Sequence, residues 1–399
     1  MKTVLYFQSG LCESDLAKLE GFRSYAKAAH WRVHTEFCAN AATVFHGNSS
    51  TDASKWNVRR LIDFWNPTGA VVDCASVYLQ VDISEFGNLP TVFLDHDMVS
   101  DAVCVTSDAV AIARAAAKVL QSLKCAAYGY VPFGCSVYWS NDRGHAFDVC
   151  IRDAGGVCLT FDAHGAVEGS ISYRKMLCDW LKSAPRPFGV FAANDAVGVY
   201  VLSCAEAVGL KVPDDVAVLG VDDDHSLCDR STPKLSSIAP DFHRAGYIAA
   251  ELLDRCISHP RSRVSGAMFG VLDIHRREST FAYHRHDDRV VAAISYIRQH
   301  ACERISSAHV IAQMGCARRT AELRFREIVG HGILEEIHAV RLERAKNLLR
   351  RTDCSIREIA IDCGYRTTEQ LRRIFLRAEG CSPCVYRMRG KCHRSVAQL

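Results

Sequence analysis

No apolar run in the 399-residue sequence approaches the roughly 20 residues needed to cross a bilayer, so a membrane partner is not expected. The N-terminus, Met1 to Gln8, has one lysine and a short apolar stretch, Val4-Leu5-Tyr6-Phe7, which is too short for an export signal. The expectation is a cytoplasmic protein. Walker, GxGxxG, GxSxG and HExxH patterns are all missing, so no enzyme and no cofactor are expected. Metal chemistry is equally short of ligands. Asp222-Asp223-Asp224-His225 and His284-Arg285-His286 lack a second ligand pair at diagnostic spacing, and Cys381-Ser382-Pro383-Cys384 has no partner CxxC. The 19 cysteines are odd in number and scattered, which suits reduced thiols used as small apolar side chains rather than a disulfide scaffold.

What the sequence does have is enough chain for two or three domains, with 49% hydrophobic and 23% charged residues. Its net charge of +3 conceals a division. Residues 287–399 carry 21 Lys and Arg against 13 Asp and Glu, a net of +8, which leaves −5 for residues 1–286. Nineteen of those 21 are arginine, whose planar fork suits phosphates and guanine edges. A basic region on an acidic body makes nucleic acid the first partner to test.

Up to about residue 280, short apolar runs alternate with helix-length segments. Strands are expected at Thr3–Phe7, Ala70–Asp73, Thr91–Asp95, Ala126–Tyr130, Val157–Phe161, Phe188–Phe191 and Val216–Val221. Helices are expected at Asp15–Ala29, Ser107–Leu123, Tyr173–Lys182, Asp195–Val208 and Phe242–Ile257. This alternation predicts an α/β fold with mainly parallel, doubly wound sheets. Ligands bind beyond the carboxyl ends of such strands. Polar residues collect at those ends here: Gln8-Ser9, Asp73, Asp95-His96-Asp97, Asn194-Asp195 and Asp222-Asp223-Asp224. A polar cleft follows.

Beyond His284 the pattern reads as helices only. Ser355-Ile356-Arg357-Glu358 is a capping box opening a helix that ends at Gly364. The segment His309 to Gly315, then Phe325 and Gly330, is echoed 50 residues on by Glu358 to Gly364, then Phe375 and Gly380. Each copy has the helix-turn-helix plan. Between them, Ile333 to Arg351 forms one amphipathic helix with Ile333, Ile337, Val340 and Leu348 available to pack against both copies. Two such units could enter successive major-groove segments about 10 base pairs apart.

At these residues residues 288–389 resemble the C-terminal DNA-binding domain of the AraC/XylS family of transcription regulators, on Arg341-Leu342-Glu343-Arg344-Ala345, Ser355 to Ala360, Cys363-Gly364-Tyr365, Phe375, and Gly380 to Arg387. Phe191 to Gly198, Gly209 to Val216 and Val218 to Asp223 resemble the periplasmic-binding-protein-like sensor of LacI/GalR-type regulators, without that family's own N-terminal DNA reader. The resemblance implies a two-lobed sensor at 1–282, a linker at 283–287, an all-α domain with two helix-turn-helix units at 288–389, and a tail at 390–399. It implies a DNA-binding regulator controlled by a small sugar, a pentose such as xylose favoured. A homodimeric activator partnered by an operator duplex and RNA polymerase is expected. A sugar-binding or sugar-processing protein of the sensor fold, or a repressor with another effector, stands as the alternative. Asn194, Asp222 and Arg143 match effector-contact positions of such sensors. Asp95 and His96 are candidate lining residues, with Tyr138, Trp139 and Phe191 as a possible stacking face. Asp108 either caps a helix or touches ligand. The resemblance places the readers at Ala317–Val329, with Arg318, Arg319, Glu322 and Leu323 on the groove side, and at Thr367–Ala378, with Thr368, Glu369, Gln370, Arg372 and Arg373.

Overall fold

The computed structural model describes residues 1–8, 10–37, 58–74, 83–96, 102–134, 137–281, 288–329, 331–352 and 354–392. The expected linker, Ser9 and Asp97 lie outside them. The chain divides into two compact units, Met1–Ala282 and Tyr283–Leu399.

The first unit contains, in order, β1 (Thr3–Gln8), α1 (Glu13–Ala28), β2 (Arg32–Phe37), α2 (Val58–Trp65), β3 (Gly69–Asp73), β4 (Thr91–Leu94), β5 (Val103–Ser107), α3 (Ala109–Gln121), β6 (Ala127–Val131) and α4 (Tyr138–Asp153). Then follow β7 (Cys158–Thr160), α5 (Ile171–Ser183), β8 (Phe188–Ala192), α6 (Asp195–Ala207), β9 (Val216–Val221), α7 (His225–Cys228), β10 (Ser236–Pro240), α8 (Phe242–Ser258), β11 (Ala267–Phe269) and β12 (Val271–His275). They make two six-stranded sheets, ordered β11-β5-β4-β3-β1-β2 and β12-β10-β9-β8-β6-β7. The first is parallel throughout, and the second is parallel except for β12, which runs antiparallel to β10.

Both faces of these sheets are covered, which explains why the central strands are apolar at every position rather than at alternate ones. In β1, Val4 and Tyr6 join the core beneath α1 and α8, while Leu5 and Phe7 join the opposite core beneath α2. Glycines set the α1–α8 crossing. A Cβ on Gly21 would lie 1.8 Å from the His243 carbonyl oxygen, and one on Gly246 1.7 Å from that of Lys18, so only glycine lets the two backbones touch.

The chain passes between the lobes three times, after β5, after β10 and between β11 and β12. The Asp108 amide donates to the Phe269 carbonyl at 2.8 Å and the Asp241 amide to that of Gly270 at 2.9 Å. All three crossings are thereby laced into one hinge by main-chain bonds.

The second unit is α-helical: α9 (Asp288–His300), α10 (Ser307–Met314), α11 (Arg318–Val329), α12 (Ile333–Arg351), α13 (Ile356–Asp362), α14 (Thr368–Glu379) and α15 (Pro383–Cys392). Residues 390–392 therefore finish a helix, where a tail was expected. α12 spans two cores, giving Ile333 and Ile337 to the first and Leu342, Ala345 and Leu349 to the second. The capping box is present: the Ser355 hydroxyl accepts from the Glu358 amide at 3.2 Å, and the Ser355 amide donates to the Glu358 carboxylate at 2.6 Å. Gly364, with φ +75°, makes the turn into α14 against the Cys302 carbonyl. Cys204, Cys228 and Cys363 are free thiols buried in the cores.

Candidate functional site

The carboxyl ends of the strands in the first unit gather charge from both lobes. From the first lobe comes Lys18, fully buried on α1. Its ammonium donates to the Asp73 carboxylate at 2.8 Å and to that of Asp95 at 3.4 Å, and Asp15 lies 3.7 Å away. Burial alone would depress the lysine, but Asp73, Asp95 and Asp15 outweigh it and hold the ammonium well above its ordinary value. One cation cannot neutralise three carboxylates. Burial, opposed by Lys18 and reinforced by the neighbouring acids, accordingly raises Asp73 to about 6.

The second lobe contributes Arg143 from α4 and Asp222 from the end of β9. Arg143 is buried, stacks over the Trp139 ring at 4.9 Å and donates from Nη1 to the Ala193 carbonyl at 2.8 Å. Asp222 is half-buried, with φ +108°, a conformation that a strand-end carboxylate adopts only where the surroundings impose it. Desolvation lifts its carboxyl to about 7; Arg143 opposes this, and Asp95 of the other lobe reinforces it. Tyr138, raised by burial, also feels Asp95, Arg143 and Lys18. Lys18, Asp95, Tyr138, Arg143 and Asp222 thus form one electrostatically linked group at the strand ends of the two lobes. Beside it, the amide of the fully buried Gln8, Arg143 Nε and Tyr138 Oη have no hydrogen-bond partner among the described residues. Buried polar groups of this kind ordinarily find one.

The other expected residues have more ordinary duties. Asn194 caps α6, its Oδ1 accepting from the Val197 amide at 3.0 Å. Asp108 caps α3, accepting from the Ala111 amide at 2.9 Å. Asp108→Ala is expected to destabilise the first unit by about 1 kcal/mol with effector response retained, which thermal unfolding with and without effector measures. His96 packs its ring 5.4 Å from that of Phe93. Phe191 is core rather than a stacking face, packed against Tyr130 and Phe147.

Lys18 was not legible as a site residue, because a lysine in an amphipathic helix reads as a solvated one. At the cleft edge the His225 amide of α7 donates to the Glu13 carboxylate of α1 at 3.2 Å, joining the lobes. Behind Asp222, Asp223 and Asp229 are bound by Arg277 at 2.7 and 3.1 Å. Those acids and His225 form a structural network, and among the described residues no group of His, Cys, Asp and Glu is arranged to hold a metal.

In the second unit, α10, Gly315 and α11 repeat α13, Gly364 and α14. Ala321 and Phe325 are buried on α11 and Leu371 and Phe375 on α14, while Arg318, Arg319, Glu369, Arg372 and Arg373 are exposed and Glu322, Thr368 and Gln370 half-buried. Thr367 caps α14 through the Gln370 amide at 3.1 Å. Glu369 and Arg372 lie 3.8 Å apart. Not every arginine here is available to a partner. Arg341 is buried and donates to the Ala301 and Ile305 carbonyls at 2.7 and 3.1 Å, closing the chain that follows α9.

Comparison with known proteins agrees with each unit. A periplasmic binding protein-like domain matches residues 119–280 and a helix-turn-helix domain residues 310–389. The xylose operon regulatory protein of Escherichia coli K12 is 31% identical over 261 residues, 65% of this chain and 66% of that protein. Its Haemophilus influenzae namesake is 28% identical over 71% of this chain and 74% of its own length. The solved structure of a xylose-binding transcription activator covers 97% of both chains with a TM-score of 0.60 at 24% identity. With its two-lobed α/β unit and its paired helix-turn-helix motifs, the chain is a homologue of the xylose operon regulatory proteins, joining a periplasmic-binding-protein-like domain to an AraC-type helix-turn-helix domain.

Proposed function

We propose that this protein is a sugar-responsive DNA-binding transcription regulator, an activator working as a homodimer that engages an operator duplex and RNA polymerase. The observation that carries the reading is the cleft where Lys18 and Asp95 of one lobe meet Tyr138, Arg143 and Asp222 of the other, in a chain that also holds two arginine-bearing helix-turn-helix units. Carboxylates accept from sugar hydroxyls, and the ammonium, guanidinium and Gln8 amide donate to them. Asp15, Asp73, Asp95 and Asp222 outnumber Lys18 and Arg143, so the effector is an uncharged sugar rather than a sugar phosphate or sugar acid. The E. coli and H. influenzae relatives are xylose operon regulators, and a pentose such as xylose is the favoured effector here. Asn194 and His96 complete the proposed cleft lining, and Asp108 serves as the α3 cap outside it.

Switching needs an effector that binds one lobe arrangement better than another. A polyol spanning Lys18–Asp95 and Arg143–Asp222 satisfies that condition, because its contacts on both lobes coexist only when they close. Thermal unfolding of the full chain with xylose, other pentoses, hexoses and a sugar phosphate tests the reading. A shift with an uncharged sugar alone supports it; no shift with any, or a shift with the phosphate, overturns it. On the DNA side, Arg318, Arg319, Glu322, Thr368, Glu369, Gln370, Arg372 and Arg373 are the proposed contacts. Arg319→Ala is expected to weaken operator binding by about 1–3 kcal/mol, with the sugar-induced thermal shift unchanged. A mutant footprint matching the wild type removes Arg319 from the interface.

A further inference from the structure

We infer that Leu323 reads a thymine methyl group, so that the two readers recognise chemically different base pairs; this rests on the DNA-binding reading above. At 3.6 residues per turn, the buried Ala321 and Phe325 of α11 each lie two positions from residue 323, on the far side of the helix. Leu323 is therefore central on the outward face, and it is 58% exposed. Arg319 stands one turn before it, Arg326 just under one turn after it, and both are exposed. Among the described residues, Leu323 belongs to neither apolar core of this unit.

In α14 the buried Leu371 and Phe375 bracket Arg373 in the same way. Leu323 and Arg373 are thus equivalent places in the two copies, 50 residues apart. The surroundings are exchanged as well. Glu369 stands where α11 has Arg319, Arg372 where it has Glu322, and exposed Leu376 where it has Arg326. An arginine at the central place can hold a guanine edge through two hydrogen bonds. A leucine can donate and accept nothing, and the feature of the major groove it can recognise is the 5-methyl group of thymine, whose contact removes apolar surface from water on both sides. The first reader thus selects thymine where the second selects guanine, and the half-site is not a repeat of one short sequence.

The test begins with operator duplexes selected from a random pool by the full-length protein at fixed salt. Each thymine is then replaced in turn by uracil, which lacks only the methyl. One replacement in the segment covered by the first reader is expected to weaken wild-type binding about three- to fivefold. Leu323→Ala, which leaves the unfolding midpoint unchanged because the side chain is exposed, is expected to lose the same factor on the thymine duplex and nothing more on that uracil duplex. Wild-type affinity in Leu323→Ala overturns the proposal, as do losses that multiply at every thymine; the former would mark the residue as a protein-contact site. Failure to select any sequence overturns the DNA-binding reading itself, and this inference with it.

Discussion

Lys18→Met is expected to lower the unfolding midpoint of the first unit by about 10 °C at pH 8. Methionine keeps the length and apolar stem of the lysine, so the change removes little but the charge. Asp73, fully buried, and Asp95, 11% exposed, then face each other and Asp15 without a counter-ion. Breaking a buried ion pair from one side costs about 3–5 kcal/mol, and each kcal/mol moves the midpoint of a unit this large by about 2–4 °C. The pH dependence has a definite sign. Asp73 is already raised to about 6 with the lysine present, and without it must rise further. The folded state of the variant therefore binds more protons than the unfolded state above pH ~4, and its stability falls as pH rises. The gap between wild type and variant should be wide at pH 8 and narrow near pH 4, where Asp73 is protonated in the folded state of both proteins. Adding Asp73→Asn to the variant should recover part of the loss. Calorimetry across that range decides: a midpoint within 2 °C of wild type at pH 8 would mean that water, not Lys18, neutralises the cluster.

How much of this was written in the sequence depends on how strongly each element advertises its burial. Seven strands were expected within a residue or two of where they lie, because β1, β3, β8 and β9 are covered on both faces and read as unbroken apolar runs. β2 was not. Arg32-Val33-His34-Thr35-Glu36-Phe37 is an edge strand with half-exposed positions, and its polar content hides it. β5 was missed at the start of a helix-length segment, since Thr106 and Ser107 look like a cap for Asp108 rather than the end of a buried strand. β10, β11 and β12 are short and serve the hinge; tertiary pairing holds them where local propensity does not. α4 opens on Tyr138 without a side-chain cap, and no stop or start signal marked it. In the second unit the glycine punctuation and the capping box sufficed, and the reader helices differ from expectation by one residue at each end that moved. The proposed site was legible in its carboxylates, which stand at strand ends, and illegible in Lys18, whose ammonium reaches Asp73 and Asp95 from a helix flank.

Asp222→Asn is expected to act on the same cleft with the opposite sign for stability. Desolvation raises its carboxyl to about 7 despite Arg143, so below that pH the folded state holds a proton that the unfolded state, near 3.8, has released. Stability from this group is lost as pH climbs from ~4 through ~7, and above pH 7 the wild type carries the full penalty of an ionised, poorly hydrated carboxylate. At about 1.4 kcal/mol per unit the shift corresponds to about 4 kcal/mol, and partial access of water to a half-buried group reduces this to about 2 kcal/mol. The amide has the same shape and no charge to desolvate. The variant should therefore be more stable than wild type by about 2 kcal/mol at pH 8 and equal to it near pH 4. It should also lose the effector response, because an amide offers one acceptor where the carboxylate offers two and presents a donor to the sugar's own donors. Saturating sugar at 100 times its Kd stabilises a competent sensor by about 2.7 kcal/mol, and that increment should disappear in the variant while salt-sensitive DNA binding persists. The two halves of the result separate two roles. A gain in stability with the sugar increment intact would leave Asp222 a strained strand terminus with no part in recognition. Loss of the increment without any gain would place it in the site but deny that its charge is held there against burial. The wild-type carboxylate is explained only if both occur, since a charge kept at a cost to folding has to be returning that cost in binding.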